Sequence, residues 1–274
     1  VRVGPSGRIS VTSGVSAIGQ GTRTMLAQIV AQSLGVGLED IDVVIGDTSA
    51  IPYGMGAASS RQTVTAGSSA RTAAEEVRDK SLRVAAHILE ASENDLEIAD
   101  GRVNVKGVPG MSVSLGEIAT QLAGAATGFA LPAGEKPGLE AHAADQIEGL
   151  AFSNGAHVAE IEVDPETGNV KVLNYVVAHD CGVMVNPLVI DGQVAGGAAH
   201  GLGFAMYEKM IWDDQAQPQS TNLAEYLLPG SAEMPNIQIE HIVVPSSQNP
   251  LGVKGVGESG LVPVPAVIAS AIEN

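Results

Sequence analysis

The amino-acid sequence predicts an α+β fold built from two similar lobes, each of mixed β-sheet with packed helices. Stretches with strand-like alternation are interleaved with stretches of helical periodicity along the 274 residues. Both halves run from a strand through a loop to a Gly-Gln step at or near the start of a small-residue helix. Residues 124–150 are rich in Ala, Gly and Pro and contain no convincing element, so we place the boundary there. The first lobe is then 1–148 and the second is 149–274.

The first half is predicted to alternate strands with three helices. Its clearest helix follows the first strand, because apolar residues recur at helical spacing from Met25 to Leu34 and Gly35 then stops it. A long polar loop is predicted over Thr48–Thr65, and Ser114 is expected to cap the third helix. The predicted strands are Arg8–Val15, Ile41–Ile45, Leu96–Ile98 and Arg102–Val105, and the predicted helices are Thr22–Leu34, Gly67–Ala91 and Ser114–Leu122.

The second half is predicted to open with a β-hairpin, because two alternating runs flank the turn sequence Asp-Pro-Glu-Thr-Gly. A loop over Asp180–Pro187 leads into a helix that carries the second Gly-Gln step, and a glycine loop precedes the last helix. The predicted strands are Ala156–Val163, Val170–Ala178 and Asn236–Val244, and the predicted helices are Val189–Met206 and Pro265–Glu273.

The charge of the chain is unevenly distributed. The chain carries 14 Lys/Arg and 31 Asp/Glu, a net charge of −17, but residues 1–80 contain seven of each. The entire acidic excess therefore lies in residues 81–274. An acidic chain without a basic run is a poor nucleic-acid binder, because phosphate contacts need clustered cations. No apolar run reaches the length of a membrane span.

The only cysteine, Cys181, limits the redox and metal chemistry of the chain. It cannot form an intramolecular disulfide, and alone it cannot hold an iron–sulfur cluster or a structural zinc, so we expect a cytoplasmic protein. A lone cysteine of this kind is more often a small buried residue than a reactive thiol. The six histidines form no H-x-x-x-H pair, so no protein metal ligands are predicted. We also expect the chain to be a piece of a larger protein.

Two loops of the first half have the chemistry of an anion-binding site. Gly19-Gln20-Gly21-Thr22 falls at a strand-to-helix transition, where helix N–H groups lack partners. It is not a dinucleotide fingerprint, because Thr24 stands where the third Gly is needed. Residues 57–67 gather four hydroxyls, an amide and Arg61, which suits recognition of an oxyanion. A glycine turn, and a polar loop with Thr65 as helix N-cap, remain the alternatives.

A third loop, Lys254–Gly260, sets one carboxylate among glycines. Glu258 is either a buried general base or a turn residue, and the residue types alone leave both open. Ser259 is not a hydrolase nucleophile, because the G-x-S-x-G pattern needs Gly where this chain has Leu261.

The order and spacing of these motifs carry more information than any one of them. They are Gly19-Gln20-Gly21-Thr22, Ser59-Ser60-Arg61-Gln62-Thr63 with Gly67, His179-Asp180-Cys181-Gly182 with Asn186-Pro187, Gly192-Gln193-Val194 with Gly197 and His200-Gly201-Leu202-Gly203, Asn222-Leu223-Ala224-Glu225-Tyr226, and Lys254-Gly255-Val256-Gly257-Glu258. Together they closely resemble the molybdenum-binding large subunit of the xanthine dehydrogenase/aldehyde oxidase/carbon monoxide dehydrogenase family. The resemblance runs over essentially the whole chain and corresponds to the C-terminal molybdopterin-binding part of that subunit.

The resemblance implies a molybdenum–molybdopterin cofactor, in its cytosine dinucleotide form, whose metal is held by the pterin dithiolene and not by the protein. It implies oxidative hydroxylation of an aldehyde, an N-heterocycle or a related small molecule, with Glu258 as the catalytic base and the metal as Lewis acid and electron acceptor. The residues that it assigns to cofactor binding are Gly19, Gln20, Gly21, Thr22, Ser59, Ser60, Arg61, Gln62, Thr63, Asp180, Cys181, Gln193, Lys254 and Gly255.

The resemblance also implies partners: the upstream half of the large subunit, an iron–sulfur subunit and a flavin subunit, which would carry the iron–sulfur clusters and FAD. The family's substrate-selecting residues lie in the upstream half, so this chain does not specify the substrate. Pro often follows the base in relatives, whereas Ser259-Gly260 follows here. The alternative function is that of a non-catalytic or degenerate domain acting as a scaffold. The intact set of Gln20, Gln193 and Glu258 argues against that alternative.

Overall fold

The computed structural model describes residues 1–124, 128–147 and 149–274. The α+β prediction is confirmed, because helices pack on sheets that mix parallel and antiparallel strands. The chain divides into two compact units. Unit 1 comprises Val1–Gly149 with Gln248–Leu251, and unit 2 comprises Leu150–Ser247 with Gly252–Asn274.

Unit 1 holds a four-stranded mixed sheet and a smaller antiparallel sheet, both packed with helices. Its elements in chain order are β1 (Arg2–Val3), β2 (Ile9–Ser13), α1 (Thr22–Leu34), β3 (Ile41–Ile45), α2 (Ser68–Leu89), β4 (Leu96–Ala99), β5 (Arg102–Val105), β6 (Ser112–Ser114), α3 (Leu115–Gln121) and β7 (Leu139–Glu140).

The larger sheet of unit 1 has the strand order β3-β2-β1-β7, in which β2 and β3 are parallel and the other pairs are antiparallel. Helix α1 connects the two parallel strands and buries Leu26, Val30 and Leu34. The Gly-Gln-Gly turn therefore follows the carboxyl end of β2, the end of a parallel strand where ligands bind in open α/β sheets. The smaller sheet has the order β4-β5-β6, and its predicted hairpin is confirmed.

Three local expectations for unit 1 need correction. Strands β1 and β7 pair with each other in the larger sheet, but two residues are too short to show a period in the sequence. The predicted polar loop ends too late, because a π-helical turn, Thr63–Gly67, precedes α2. Gly67 in that turn lies against α1, where an added Cβ would stand 3.1 Å from Ile29 Cδ1, so tertiary packing sets this boundary. Thr65 is not an N-cap, because its hydroxyl donates to Arg61 O at 3.1 Å.

Ser114 does cap α3 as predicted. Its hydroxyl accepts from Glu117 N, while the Glu117 carboxylate accepts from Ser114 N, which forms a complete capping box.

Unit 2 is a three-stranded sheet covered on one face by two helices. Its elements are β8 (Asn154–Val163), β9 (Val170–Asp180), α4 (Pro187–Met206), β10 (Asn236–His241) and α5 (Val264–Glu273). The strand order is β10-β9-β8, with β10 parallel and β8 antiparallel to β9. Tyr175 and Val177 point from β9 into a core shared with α4 and α5. The predicted hairpin and both helices are confirmed, and β10 ends three residues earlier than expected.

Candidate functional site

In unit 1, the side-chain amide of Gln62 joins the Gly-Gln-Gly turn to the hydroxyl-rich loop. Its oxygen accepts from Gln20 Nε2 and from Thr22 Oγ1, both at 2.7 Å. Its nitrogen donates to Ser16 O and to Gly56 O, again both at 2.7 Å. We call these five residues the Gln62 network. All four hydrogen-bonding positions of the amide are used, so Gln62 orders the two loops and has no further capacity for a ligand.

The backbones of the same two loops touch near the network. Gly14 and Gly54 approach so closely that a Cβ on either would collide with the main chain of the other loop. Gln20 also bonds within its own turn, because its amide oxygen accepts from Ile18 N at 2.7 Å. Gly19 and Gly21 have positive φ angles of 119° and 76°, which favour glycine. Apart from its chain neighbours, no described residue has an atom within 4 Å of the Cβ position at Gly19, so the main chain there is open to approach by a ligand.

The segment before the π-helical turn combines strained backbone with a cation. Ser59 and Ser60 both adopt left-handed conformations, with φ of 55° and 50°. Each costs about 1–2 kcal/mol, and such strain is concentrated at functional sites. Arg61 follows directly, half-buried, with its guanidinium 3.6 Å from Met55 Sδ. Within the described ranges Arg61 forms no ion pair with a carboxylate, and Thr63 begins the π-helical turn beside it.

In unit 2, Asp180 at the end of β9 forms a buried ion pair with Lys254. The side chains are only 9% and 11% exposed. The second oxygen of Asp180 accepts from Gly182 N at 2.8 Å and from Val244 N at 3.2 Å. Burial alone would raise the pKa of Asp180, but the hydrogen bonds from Lys254 and from these two amides outweigh it and lower that pKa. Asp180 is therefore a buried carboxylate held in its charged form.

Main-chain hydrogen bonds at Cys181 and Val183 join the end of β9 to the segment that carries Lys254. Lys254 N donates to Cys181 O at 2.7 Å, and Val183 N donates to Gly252 O at 3.0 Å. The Cys181 side chain is 3% exposed and packs in the core, so the interpretation of a small buried residue is confirmed. Burial raises the pKa of its thiol, which disfavours the reactive thiolate.

The glycine loop that carries Glu258 packs on α4 immediately after the carboxylate. A Cβ on Gly260 would collide with Val194, and one on Gly197 would lie 3.1 Å from the Gly260 main chain. Leu261 N and Val262 N both donate to Glu258 O, at 3.1 and 3.2 Å, so the backbone turns sharply there. Glu258 itself is exposed, so of the two alternatives its surroundings fit the turn residue and not the buried base. Gln193 lies half-buried on α4, one residue before Val194, and Gly255 is half-buried in the loop.

Sequence reasoning missed a row of polar side chains at the same end of this sheet. His179 Nε2 lies 2.9 Å from His241 Nδ1, and His241 Nε2 lies 2.7 Å from Asp191 Oδ1. His179 is 1% exposed, and its Nδ1 atom has no hydrogen-bond partner among the described residues. Burial, followed by repulsion from His241, lowers the pKa of His179. The signal that could have found the pair is their position at the ends of two adjacent parallel strands, where they stand opposite each other.

A third histidine, His157, connects the sheet to the Glu258 loop. Its Nδ1 lies 2.9 Å from the Tyr175 hydroxyl. Burial raises the pKa of Tyr175 to about 12, so the phenol stays protonated and donates to this nitrogen. Burial lowers the pKa of His157, opposed by a hydrogen bond to the main chain of Ser259. The neutral ring therefore supports the residue that follows Glu258.

No cluster of three or more His, Cys, Asp or Glu side chains in the described part of the chain could hold a metal ion. Over the same residues, no helix is long and apolar enough to cross a membrane.

Residues 1–235 match the family model described as molybdopterin cofactor-binding domain. The chain belongs to this family. Over its whole length it is 41% identical to the 6-hydroxypseudooxynicotine dehydrogenase complex subunit gamma of Paenarthrobacter nicotinovorans and 36% identical to the carbon monoxide dehydrogenase large chain of Hydrogenophaga pseudoflava, covering 34% of each. The chain is also similar to the crystal structure of quinoline 2-oxidoreductase from Pseudomonas putida 86, with a TM-score of 0.90 and 38% sequence identity. The match covers 99% of this chain and 34% of the quinoline 2-oxidoreductase chain.

The molybdopterin cofactor-binding domain described here spans about a third of the length of these relatives. Its donor groups fit an anionic cofactor. Unit 1 offers a cation with no carboxylate partner in the described residues, hydroxyls at Ser59 and Thr63, and open main chain at Gly19. Phosphate oxygens accept hydrogen bonds from each of these group types.

Proposed function

We propose that this chain is the cofactor-binding part of the large subunit of a molybdenum hydroxylase and that Glu258 is its catalytic base. The observation that carries the proposal is the Gln62 network, which holds both motif loops side by side. Next to it, the Arg61 guanidinium has no carboxylate partner among the described residues, so it can pair with an anionic ligand. A glycine turn and a polar surface loop without a ligand would need neither this fully hydrogen-bonded amide nor the strained Ser59-Ser60 pair.

The chain's own residues would bind the cofactor mainly through neutral donors. The main chain at Gly19 and Gly21, the hydroxyls of Ser59 and Thr63, and the guanidinium of Arg61 are the proposed contacts with its phosphates, and we take the cofactor in its cytosine dinucleotide form. The remaining predicted residues, Gln20, Thr22, Ser60 and Gln62, fix the shape of the loops. When bound, the molybdenum cofactor supplies a Lewis acid and a two-electron acceptor.

In unit 2, Glu258 would take up the proton released when a water-derived oxygen is activated for attack on the substrate. A carboxylate suits this task when it is presented in a fixed position and shielded by its surroundings in the complete enzyme. Gln193 and Gly255 are proposed cofactor contacts beside it. Asp180, Cys181 and Lys254 direct their polar atoms at one another, so their proposed contribution is to hold the loop.

The substrate we propose is an aromatic N-heterocycle. Two of the relatives are named for a hydroxylated nicotine derivative and for quinoline. Electrons would leave through an iron–sulfur subunit and a flavin subunit carrying FAD, and the upstream half of the large subunit would complete the pocket. The buried thiol of Cys181 suits the reducing cytoplasm.

The test uses the full-length subunit in its complex, offered quinoline, 6-hydroxypseudooxynicotine or carbon monoxide with an artificial dye as electron acceptor. We expect about one molybdenum per large subunit, turnover of a heterocycle, and loss of turnover in Glu258→Gln with the metal retained. Arg61→Gln should lower the molybdenum content. A protein without molybdenum would be a scaffold and would refute the proposal, turnover of carbon monoxide alone would refute the substrate class, and an active Glu258→Gln would refute the assignment of the base.

A further inference from the structure

We infer that the buried Lys254–Asp180 ion pair positions Glu258, so that Lys254 and Asp180 are positioning residues for the base and not contacts of the cofactor. This inference rests on the proposed function of Glu258. It concerns how an exposed side chain in a glycine-rich loop is kept in one place.

The loop is anchored on the side that precedes Glu258. Lys254 lies four residues upstream, its ammonium group is paired with Asp180, and its main-chain N–H is bonded to Cys181 O at 2.7 Å. Asp180 is held in turn by the amides of Gly182 and Val244. An ion pair that is about nine-tenths buried has little freedom to swing, because either charge would lose its partner in a dry environment.

The loop is also anchored on the side that follows Glu258. His157 supports the Ser259 main chain, and Gly260 is pressed against Val194 of α4. The segment from Gly255 to Glu258 therefore lies between two fixed points, the Lys254 ion pair on one side and the contacts of Ser259 and Gly260 on the other. Without these two attachments, the glycines at 255 and 257 would make the segment flexible.

The polar atoms of Lys254 point away from a role in cofactor binding. All the hydrogen bonds that the structure gives to its side chain go to Asp180, and the side chain is 11% exposed. A lysine that bound phosphate would leave its ammonium group accessible. The two roles make different predictions for the same substitutions.

The experiment compares variants of the full-length subunit in its complex. Lys254→Met alone would leave Asp180 buried and unpaired, so the informative variant is Lys254→Met/Asp180→Asn, which removes both charges. Lys254→Arg keeps the pair and serves as the rescue. Lys171→Met makes the same chemical change at an exposed position of β9 in the same unit. The readouts are molybdenum content, kcat and KM with quinoline or whichever test compound the wild type oxidises, and hydrogen exchange of residues 254–262.

We expect the double variant to keep its molybdenum and its KM while kcat falls by about 100-fold, the cost of displacing a reacting group by roughly 1 Å. Exchange in 254–262 should be faster, Lys254→Arg should recover most of kcat, and Lys171→Met should match the wild type. A double variant with wild-type kcat would overturn the inference. Loss of molybdenum with unchanged turnover per bound molybdenum would also overturn it and would show that the Lys254–Asp180 pair holds the cofactor.

The two proposals fail in different ways. If Glu258→Gln remains active, the assignment of the base is wrong, whereas the exchange rates of 254–262 still report whether the ion pair fixes the loop. If Glu258→Gln is inactive and the double variant is fully active, the base is right and the positioning role is wrong.

Discussion

Replacing Gln62 by leucine should destabilise unit 1 more than its half-buried position suggests. The substitution keeps most of the side-chain volume but removes an amide that makes four hydrogen bonds at 2.7 Å. Two main-chain carbonyls, Ser16 O and Gly56 O, lose the Gln62 donor, and Gln20 and Thr22 lose the Gln62 acceptor, while Gln20 Nε2 keeps a bond of 3.5 Å to Ser16 O. Thr22 is 2% exposed, so water cannot readily replace the acceptor for its hydroxyl.

The expected magnitude follows from these four bonds. A typical intramolecular hydrogen bond contributes about 1 kcal/mol net, which gives roughly 4 kcal/mol for the four bonds. Water can reach the half-buried members, so we expect a loss of about 2–4 kcal/mol. For a unit of this size, that loss corresponds to a drop in Tm of roughly 5–10 °C.

Calorimetry of the large subunit would measure the melting of unit 1, and hydrogen exchange of residues 14–24 would locate the change. Gln32→Leu is the matched control, because Gln32 is exposed on α1 and the chemical change is identical. An exposed substitution of this kind stays within about 0.5 kcal/mol. If unit 1 has the same melting temperature in Gln62→Leu as in Gln32→Leu, the Gln62 network does not hold the two loops and the reasoning is refuted.

Two further predictions concern unit 2. Gly201→Ala would place a Cβ 2.5 Å from the Val264 side chain at the start of α5 and should destabilise unit 2 by about 1–3 kcal/mol. Gly196→Ala is the control, because beyond the local backbone of α4 no described atom lies within 4 Å of its Cβ position, and it should stabilise α4 by up to about 1 kcal/mol. Thermal unfolding compares the two variants, and equal melting temperatures would contradict the close packing at Gly201. Burial lowers the pKa of His179 from 6.5, so as the pH falls the unfolded chain takes up a proton at this residue before the folded chain does. The contribution of His179 to the free energy of unfolding is therefore present above pH 6.5 and is lost as the pH falls towards the lowered pKa. Urea unfolding midpoints at pH 7.5 and 5.5 should therefore differ less in His179→Gln than in the exposed control His200→Gln, and an unchanged difference would show that His179 does not titrate as inferred.

The sequence predicted those elements whose own residues determine them. Helix α1 was predictable because its apolar positions repeat at 3.6 residues and Gly35 adopts the left-handed conformation that ends it. Strands β1 and β7 were not, because each contributes two residues and exists only through its partner. The π-helical turn was also hidden. Its first residues, Thr-Val-Thr, favour a strand by their own preference, so the helical turn depends on tertiary packing, and contact with α1 fixes Gly67 in place.

Motif spacing nominates the residues of the candidate site, but it does not predict where their side chains point. Motif spacing selects Gln62 and Lys254, yet their partners lie 42 and 74 residues away, and only the fold shows that both side chains point inward. The pairing of His179 with His241 depends on the parallel register of β9 and β10, which no local pattern specifies. Sequence patterns report residue type and spacing, whereas the direction of a polar group is decided by tertiary contacts.

The direction of the polar group distinguishes motif residues that bond within the protein from motif residues that we propose to act on a ligand or a substrate. The side chains of Gln62, Asp180 and Lys254 are hydrogen-bonded to other groups of the protein. A ligand could bind to them only if those hydrogen bonds were broken. Arg61 and Glu258 are charged groups placed beside fixed backbone, and their substitution should cost little stability while changing binding or turnover. In each unit, therefore, a charged group that we propose to act on a ligand or a substrate stands beside side chains whose hydrogen bonds are made within the protein. Stability should tolerate only substitutions that preserve the hydrogen bonds of Gln62, Asp180 and Lys254. Binding or turnover should tolerate only substitutions that preserve the charge of Arg61 and Glu258.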